Sequence, residues 1–138
     1  MRVLIADDNA LVAVLIEVVL TDDGHEVIGT ATTAKAALNL IEQERPDLLI
    51  ADIHLDDGES GCDLVVEAQK RFGVPSLFVS GWPEKAQSCD AAIGVLGKPF
   101  FPEAVQAAIK VAEEILDGRP PTRVPKELRL FPEFRLDR

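Results

Sequence analysis

The chain has 138 residues, 47% of them apolar and 28% charged, which predicts one globular domain with a hydrophobic core. Its formal net charge of −10 argues against a nucleic-acid partner, because a phosphate backbone favours clustered Lys and Arg. The longest apolar run, residues 10–20, is interrupted by Glu17 and is too short to span a membrane. Cys62 and Cys89 form no CxxC motif, so we expect two separate buried thiols and a cytoplasmic protein.

Charge divides the chain into a body and a tail. Residues 1–117 carry 8 basic and 21 acidic residues, whereas residues 118–138 carry 6 basic and 3 acidic ones. The boundary falls at Gly118, just before a group of prolines. The tail is too short and too rich in proline to fold alone. Its large apolar residues between 128 and 136 nevertheless predict that it docks, on its own body or on a second copy.

Within the body, short apolar segments alternate with helix-like segments. In chain order they are a strand at 3–6, a helix at 10–20, a strand at 27–30, a helix at 33–44, a strand at 48–51, a helix at 61–71, strands at 76–79 and 93–96, and a helix at 102–116. Continuous apolar strands that alternate with helices are typical of a parallel sheet with helices on both faces. The fold class is therefore α/β, with five strands.

Polar residues follow four of the five predicted strands. Asp7 and Asp8 follow the first strand, Asp52 the third, Ser80 the fourth and Lys98 the fifth. Reactive groups of open parallel sheets gather beyond the carboxyl ends of the strands, near the point where strand order reverses. We therefore expect these three carboxylates, the hydroxyl and the ammonium at one edge of the sheet.

These side chains suit phosphoryl transfer. Three neighbouring carboxylates repel one another unless a cation is present, and their oxygen atoms suit Mg²⁺ or Mn²⁺. Asp52 is the predicted nucleophile, which would form an acyl phosphate. Lys98 would place a positive charge against the phosphoryl oxygens, and Ser80 would donate a hydrogen bond to them.

The pattern resembles the receiver domains of two-component response regulators over residues 2 to about 117. That family carries an acidic pair after strand one, an acceptor Asp after strand three, Ser or Thr after strand four and Lys-Pro after strand five. Asp7-Asp8, Asp52, Ser80 and Lys98-Pro99 occupy these positions. The resemblance implies a flavodoxin-like fold with five parallel strands. It also implies a cation held by Asp8, Asp52 and the backbone carbonyl of His54, with Asp7 acting through water.

The resemblance further implies a phosphoacceptor rather than an enzyme. Its partners would be a histidine kinase or histidine phosphotransfer protein and a downstream protein target, and it would be a monomer or weak dimer. We expect no attached output domain, so the protein would be a shuttle, a sink or a phosphorylation-switched binding module. The alternative is a receiver that is never phosphorylated and only binds other proteins.

Two positions depart from the commonest receiver pattern. Val95 stands where most receivers carry Tyr or Phe, and Trp82 follows Ser80 closely. This arrangement partly resembles the receiver subgroup nicknamed "FAT GUY", which implies an alphaproteobacterial stand-alone regulator that works with kinases of the HWE type. We therefore predict that Ser80 and Trp82 carry the conformational switch.

The first predicted helix supplies a candidate docking surface. Leu11, Val12 and Leu15 lie on a stripe that begins at Asp8. We expect Val14, Ile16 and Val18 to face the sheet, which would leave the other three partly surplus to the core and available to a kinase.

Two rival chemistries fail on the spacing of residues. An EF-hand that began at Asp52 would need Gly at position 57 and Glu at position 63, where Asp57 and Asp63 stand. A haloacid-dehalogenase-type phosphatase would need Asp-x-Asp after strand one, whereas the sequence there is Asp7-Asp8-Asn9.

Overall fold

The computed structural model describes residues 1–56, 58, 60–81, 89, 91–132 and 134. Within these residues, the strands are β1 (Arg2–Ala6), β2 (Glu26–Ala31), β3 (Leu48–Asp52), β4 (Ser76–Ser80), β5 (Gly94–Gly97) and β6 (Leu128–Leu130). The helices are α1 (Ala10–Asp22), α2 (Ala34–Glu44), α3 (Gly61–Phe72) and α4 (Pro102–Leu116). The predicted strands and helices are all present, and most of their ends differ by only one or two residues.

The strands form one sheet in the order β2-β1-β3-β4-β5-β6. The first five are parallel, as predicted, and the fold is flavodoxin-like. The prediction of five strands was wrong in number, because β6 from the tail pairs antiparallel with β5. Strand order reverses between β1 and β3, so the carboxyl ends of these two strands mark the expected site.

Apolar side chains cover both faces of the sheet. Alternate residues of β1 illustrate this, because Val3 and Ile5 join one buried cluster whereas Leu4 and Ala6 join the other. Helices α1 and α4 contribute to the first cluster, and helices α2 and α3 contribute to the second. The strands are therefore buried on both sides, which accounts for their continuous apolar sequences.

Local side-chain caps position the helices that follow the strands. The Asn9 side chain accepts hydrogen bonds from the backbone N–H groups of Leu11 and Val12, and so begins α1. The Ser60 hydroxyl accepts from the N–H of Cys62 at the start of α3. Both caps lie at the carboxyl edge of the sheet, so they also order the loops that hold the candidate site.

The tail belongs to the folded body in its described part. Leu128 and Phe131 are buried, at 6% and 8% exposure, in the clusters on opposite faces of the sheet. Upstream, the Thr122 hydroxyl donates a 2.9 Å hydrogen bond to the buried carboxylate of Glu114. The tail thus docks on its own body, one of the two outcomes that the sequence left open.

Candidate functional site

Neighbouring strands bring the five predicted site residues to one edge of the sheet. Ala6 of β1 pairs with Ala51 of β3, so Asp7 and Asp52 follow adjacent positions. Asp52 in turn pairs with Val79, and Ser80 pairs with Gly97. Lys98 comes directly after that last pair. The parallel register therefore assembles side chains that lie up to 91 positions apart in the sequence.

Three carboxylates form a compact cluster at this edge. Asp7, Asp8 and Asp52 each offer one oxygen, and the three oxygens lie within 4.8 Å of one another. Asp7 and Asp52 are buried, whereas Asp8 is exposed and leaves the cluster open to solvent. An all-oxygen set of ligands suits a hard divalent cation such as Mg²⁺. The residues present therefore fit the cation that the sequence predicts.

Lys98 joins two of these carboxylates. Its Nζ lies 3.3 Å from Oδ2 of Asp7 and 3.4 Å from Oδ2 of Asp52. Both contacts are ion pairs with partly shielded groups, because the Lys98 side chain is only 21% exposed. One positive charge thus faces a cluster that carries up to three negative charges, and this excess favours cation binding.

The same excess of negative charge helps to raise the proton affinity of Asp52 and Asp8. Burial raises the pKa of Asp52, and the nearby carboxylate of Asp7 raises it further, against the opposing effect of Lys98. Partial loss of solvent around the largely exposed Asp8, together with the neighbouring Asp52, likewise raises the pKa of Asp8. Both side chains therefore hold a proton more readily than an isolated aspartate does.

The backbone next to Asp52 is held tightly against the start of α3. The N–H of Gly61 donates a 2.6 Å hydrogen bond to the carbonyl of Ile53. A Cβ atom at position 61 would lie only 2.0 Å from the carbonyl oxygen of Asp52. Only glycine fits this close approach, which depends on tertiary proximity and is not visible in the sequence pattern.

Ser80 lies beside the acidic cluster at the end of β4. Its side chain is buried, with the residue only 4% exposed, and its carbonyl accepts a 2.7 Å hydrogen bond from the N–H of Lys98. This bond joins the ends of β4 and β5 next to Asp52. The predicted switch residue Trp82 lies outside the described residues, so its role stays a prediction.

His54 lies in the loop after β3, as expected, and is exposed. It forms an isolated antiparallel bridge with Ser60, which closes the loop between Asp52 and α3. Its predicted use of the backbone carbonyl as a cation ligand stays a prediction. Asp56, in the same loop, is also exposed.

The residues of helix α1 that face the sheet are not all the ones that the sequence predicted. Val14 and Val18 are 55% and 52% exposed, so the prediction that they face the sheet was wrong, although Ile16 is buried as expected. Ala13, Val19 and Leu20 complete the buried face.

The three predicted docking residues lie near the site in two environments. Leu11 is 82% exposed, whereas Val12 and Leu15 are half-buried and pack against the core. Val12 and Leu15 line a pocket of about 450 Å³ whose other walls are Gly81, Lys98, Pro99 and Phe100. An apolar surface therefore adjoins the lysine that contacts Asp52.

The expectation of two separate thiols was wrong. Cys62 and Cys89 form a disulfide with a Cα–Cα distance of 5.8 Å. The fold brings the start of α3 next to the segment between β4 and β5, a proximity that a sequence separation of 27 residues does not reveal.

Among the described residues, the structure contains no helix that is long and apolar enough to cross a membrane.

Comparisons with known proteins agree with this geometry. The family model described as "Response regulator receiver domain" matches residues 3–110. The phyllosphere-induced regulator PhyR of Methylorubrum extorquens is 39% identical over 115 residues, which cover 80% of this chain and 43% of that protein. The chain therefore spans less than half the length of this relative.

Solved structures include receivers of the same kind. The receiver domain of PhyR from Erythrobacter litoralis is 32% identical with a TM-score of 0.74, and the match covers 89% of this chain and 95% of that one. The anti-anti-sigma factor PhyR from Bartonella quintana is 33% identical with a TM-score of 0.74, over 85% of this chain and 49% of that one.

Proposed function

The chain belongs to the response regulator receiver domains, and on that premise we propose that it accepts a phosphoryl group on Asp52 from a phosphorylated histidine of a partner protein. The observation that carries this proposal is the position of the Lys98 ammonium, 3.4 Å from Asp52 within a cluster of three carboxylates. A salt bridge that only stabilises the fold needs one carboxylate. Here the carboxylate of Asp52, which is partly accessible to solvent, has both the Lys98 ammonium and a candidate cation site beside it.

The transfer reaction uses residues of this chain in distinct roles. A carboxylate oxygen of Asp52 attacks the phosphorus atom, the bond from phosphorus to the histidine nitrogen breaks, and an acyl phosphate forms. Lys98 stabilises negative charge on the phosphoryl oxygens, and Ser80 donates a hydrogen bond to one of them after transfer. The buried backbone around Gly61 holds Asp52 in a fixed orientation.

Asp7, Asp8 and Asp52 would hold Mg²⁺ or Mn²⁺, with the backbone carbonyl of His54 as a further ligand. When bound, the cation neutralises the repulsion between the carboxylates and the incoming phosphoryl group. The chain is thus a phosphoacceptor that promotes its own transfer and slow dephosphorylation, and it is not an enzyme that acts on a separate substrate.

We place the histidine-bearing partner on the α1 side of the site. Leu11 is exposed beside the acidic cluster, and the adjoining pocket contains Val12, Leu15 and Phe100. An amphipathic helix pair of a histidine kinase, including one of the HWE type, or of a histidine phosphotransfer protein would bury this surface. The docking would bring its phosphohistidine to the open side of Asp52.

The output is a protein interaction in the cytoplasm, as a relay, a kinase sink or a phosphorylation-switched binding module. Similarity to the receiver part of a protein named an anti-anti-sigma factor supports the binding module, because that name denotes an action on another protein. The protein would be a monomer or weak dimer. The second candidate, a protein-interaction module that is never phosphorylated, is disfavoured because Asp52, Asp8 and Lys98 are all present, with Lys98 3.4 Å from Asp52 and Asp8 within the same carboxylate cluster.

Intact-mass measurement after incubation with acetyl phosphate tests this function. With Mg²⁺ we expect the mass of one phosphoryl group to be added, and with excess EDTA we expect none. The adduct should survive acid and be lost in base, as an acyl phosphate is. A protein that stays unmodified with Mg²⁺, while a known receiver is labelled in parallel, would favour the binding-only alternative.

A further inference from the structure

The Cys62–Cys89 disulfide joins two segments that flank the phosphorylation site. Cys62 lies in the first turn of α3, directly after Gly61, whose N–H is bonded to the carbonyl of Ile53 beside Asp52. Cys89 lies between β4 and β5, nine residues after Ser80. The disulfide therefore connects Cys89, which follows Ser80 in the chain, to the start of α3, which contacts the backbone beside Asp52.

The surroundings of the two sulfur atoms are compatible with both oxidation states. Cys89 is 5% exposed and belongs to the apolar cluster that contains Ala92 and Val95. Cys62 is partly buried against the same cluster. A reduced cysteine behaves as a small apolar residue, so both thiols would remain packed after the bond opens. The fold does not depend on the disulfide for a core, because the strands are buried on both faces.

We propose that Cys62 and Cys89 are a reversible oxidation site, closed by a peroxide and opened by a thiol, and that the closed form weakens the response of Asp52 to phosphorylation. This inference rests on the proposed function and adds a second input to the same site. In the closed form, the segment after Ser80 is held to α3 at Cys89. Because Cys89 follows Ser80 by only nine residues, a movement of Ser80 towards a phosphoryl group would be opposed by this covalent connection to the first turn of α3.

The redox chemistry balances in two steps. The thiol of Cys62, the more exposed of the pair, loses its proton, and the thiolate attacks one oxygen of hydrogen peroxide; the O–O bond breaks, a sulfenic acid forms, and the leaving hydroxide takes up the released proton as water. The thiol of Cys89 then attacks that sulfur, the S–O bond breaks, and the disulfide and a second water form. In reverse, two thiols of an external reductant donate two electrons and two protons and leave as a disulfide.

The first part of the test establishes the chemistry. Reduced full-length protein is treated with hydrogen peroxide, and its free thiols are titrated before treatment, after treatment and after dithiothreitol. We expect both of the chain's cysteine thiols to be lost together and both to return. Survival of both thiols, or oxidation that dithiothreitol does not reverse, would overturn the proposal.

The second part measures coupling to the site, with beryllofluoride and Mg²⁺ as the phosphoryl mimic and calorimetry as the readout. We expect the reduced protein to bind the mimic about fivefold more tightly than the oxidised protein. Because coupling between two equilibria is reciprocal, the mimic should shift the dithiol–disulfide equilibrium against glutathione by the same factor towards the dithiol. The control Cys62→Ser, which cannot form the bond, should bind the mimic equally before and after peroxide.

Equal affinities in the two oxidation states, with the bond shown to form and open, would refute the coupling while leaving the proposed function standing. Failure of both states to bind the mimic, together with failure of acetyl phosphate to modify either, would refute the proposed function and this inference with it.

Discussion

At Asp52, the geometry needed for function opposes the stability of the fold. The carboxylate is buried next to Asp7, and the single ammonium of Lys98 faces both groups. The pKa of Asp52 is raised by burial and by Asp7 despite that ammonium, so its ionised form is less favourable in the folded chain than in the unfolded one. Such a conflict is expected where a site must hold charge for a ligand.

The raised pKa values predict how stability depends on pH when no divalent cation is present. A carboxyl whose pKa is higher in the folded state contributes stability below its unfolded pKa, and this contribution is lost as pH rises through the folded pKa. We therefore expect Asp52→Asn in EDTA at neutral pH to melt a few degrees above the wild type, with a smaller difference near pH 4.

Thermal unfolding in EDTA across this pH range, followed by circular dichroism, checks the sign. Asp22→Asn, at an exposed position at the end of α1, serves as the matched control and should change the melting temperature little. Added Mg²⁺ should stabilise the wild type more than Asp52→Asn. A lower melting temperature for Asp52→Asn than for the wild type in EDTA at pH 7 would contradict the assignment of repulsion at this site.

Helix α1 has two apolar faces, of which one is buried against the sheet and the other is exposed to solvent. One face packs on the sheet through Ala13, Ile16 and Leu20, whereas Leu11 is 82% exposed at the end next to Asp8. Periodicity alone did not separate these faces correctly, because nearly every residue of this helix is apolar and several helical stripes fit equally well. Which face of α1 is buried depends on how the helix packs against the sheet.

We predict that Leu11→Ser slows phosphotransfer from a cognate histidine kinase about tenfold, because it removes an exposed apolar contact from the proposed docking surface. Its effect on the melting temperature should be small, since the side chain is already in water. Val18→Ser is the matched control: Val18 is also exposed on α1 but lies two turns further from Asp8, and its transfer rate should stay near that of the wild type.

Stopped transfer reactions with radiolabelled kinase give the rates, and labelling by acetyl phosphate shows whether the site itself is intact. Equal rates for Leu11→Ser and the wild type would remove α1 from the docking surface. A rate lost equally in Leu11→Ser and Val18→Ser would point to a general effect of the substitutions on the helix.

Most strands and helices could be predicted from the sequence, because each of them has its own local sequence pattern. Apolar runs located β1 to β5, and in the structure the side chains of Asn9 and Ser60 cap the starts of α1 and α3. Strand β6 has only three residues, and its pairing depends on the edge that β5 leaves open, which no local pattern encodes. The disulfide depends likewise on tertiary proximity. The clustering of the candidate site residues was predictable because parallel strands bring their carboxyl ends to one edge.

In the whole molecule, the described part of the tail adds the edge strand β6 to the sheet. The N–H of Gly97 donates to the carbonyl of Glu127, and the N–H of Phe131 donates to the carbonyl of Ile93. A Cβ atom on Gly94 would lie 2.4 Å from the carbonyl oxygen of Arg129, so β5 and β6 approach each other as closely as a glycine allows. The tail therefore covers the edge of β5, next to the strand end that bears Lys98.

The docked tail predicts a loss of stability on truncating its buried aromatic ring. Phe131→Ala should lower the free energy of unfolding by about 3 kcal/mol, because it empties a buried site at the sheet edge. Phe101→Ala is the matched control, since that ring is 75% exposed and its loss should cost no more than about 0.5 kcal/mol. Urea unfolding of both variants gives the comparison, and equal stabilities would mean that the tail does not contribute to the fold in solution.

The proposed function requires that one residue, Asp52, receives the phosphoryl group. Borohydride reduces an aspartyl phosphate to homoserine, so treating the acetyl-phosphate-labelled protein with borohydride and sequencing its peptides by mass spectrometry locates the acceptor. We predict homoserine at position 52 and at neither position 7 nor position 8, with no conversion in Asp52→Asn. Homoserine at another aspartate, or labelling that persists in Asp52→Asn, would show that Asp52 is not the acceptor.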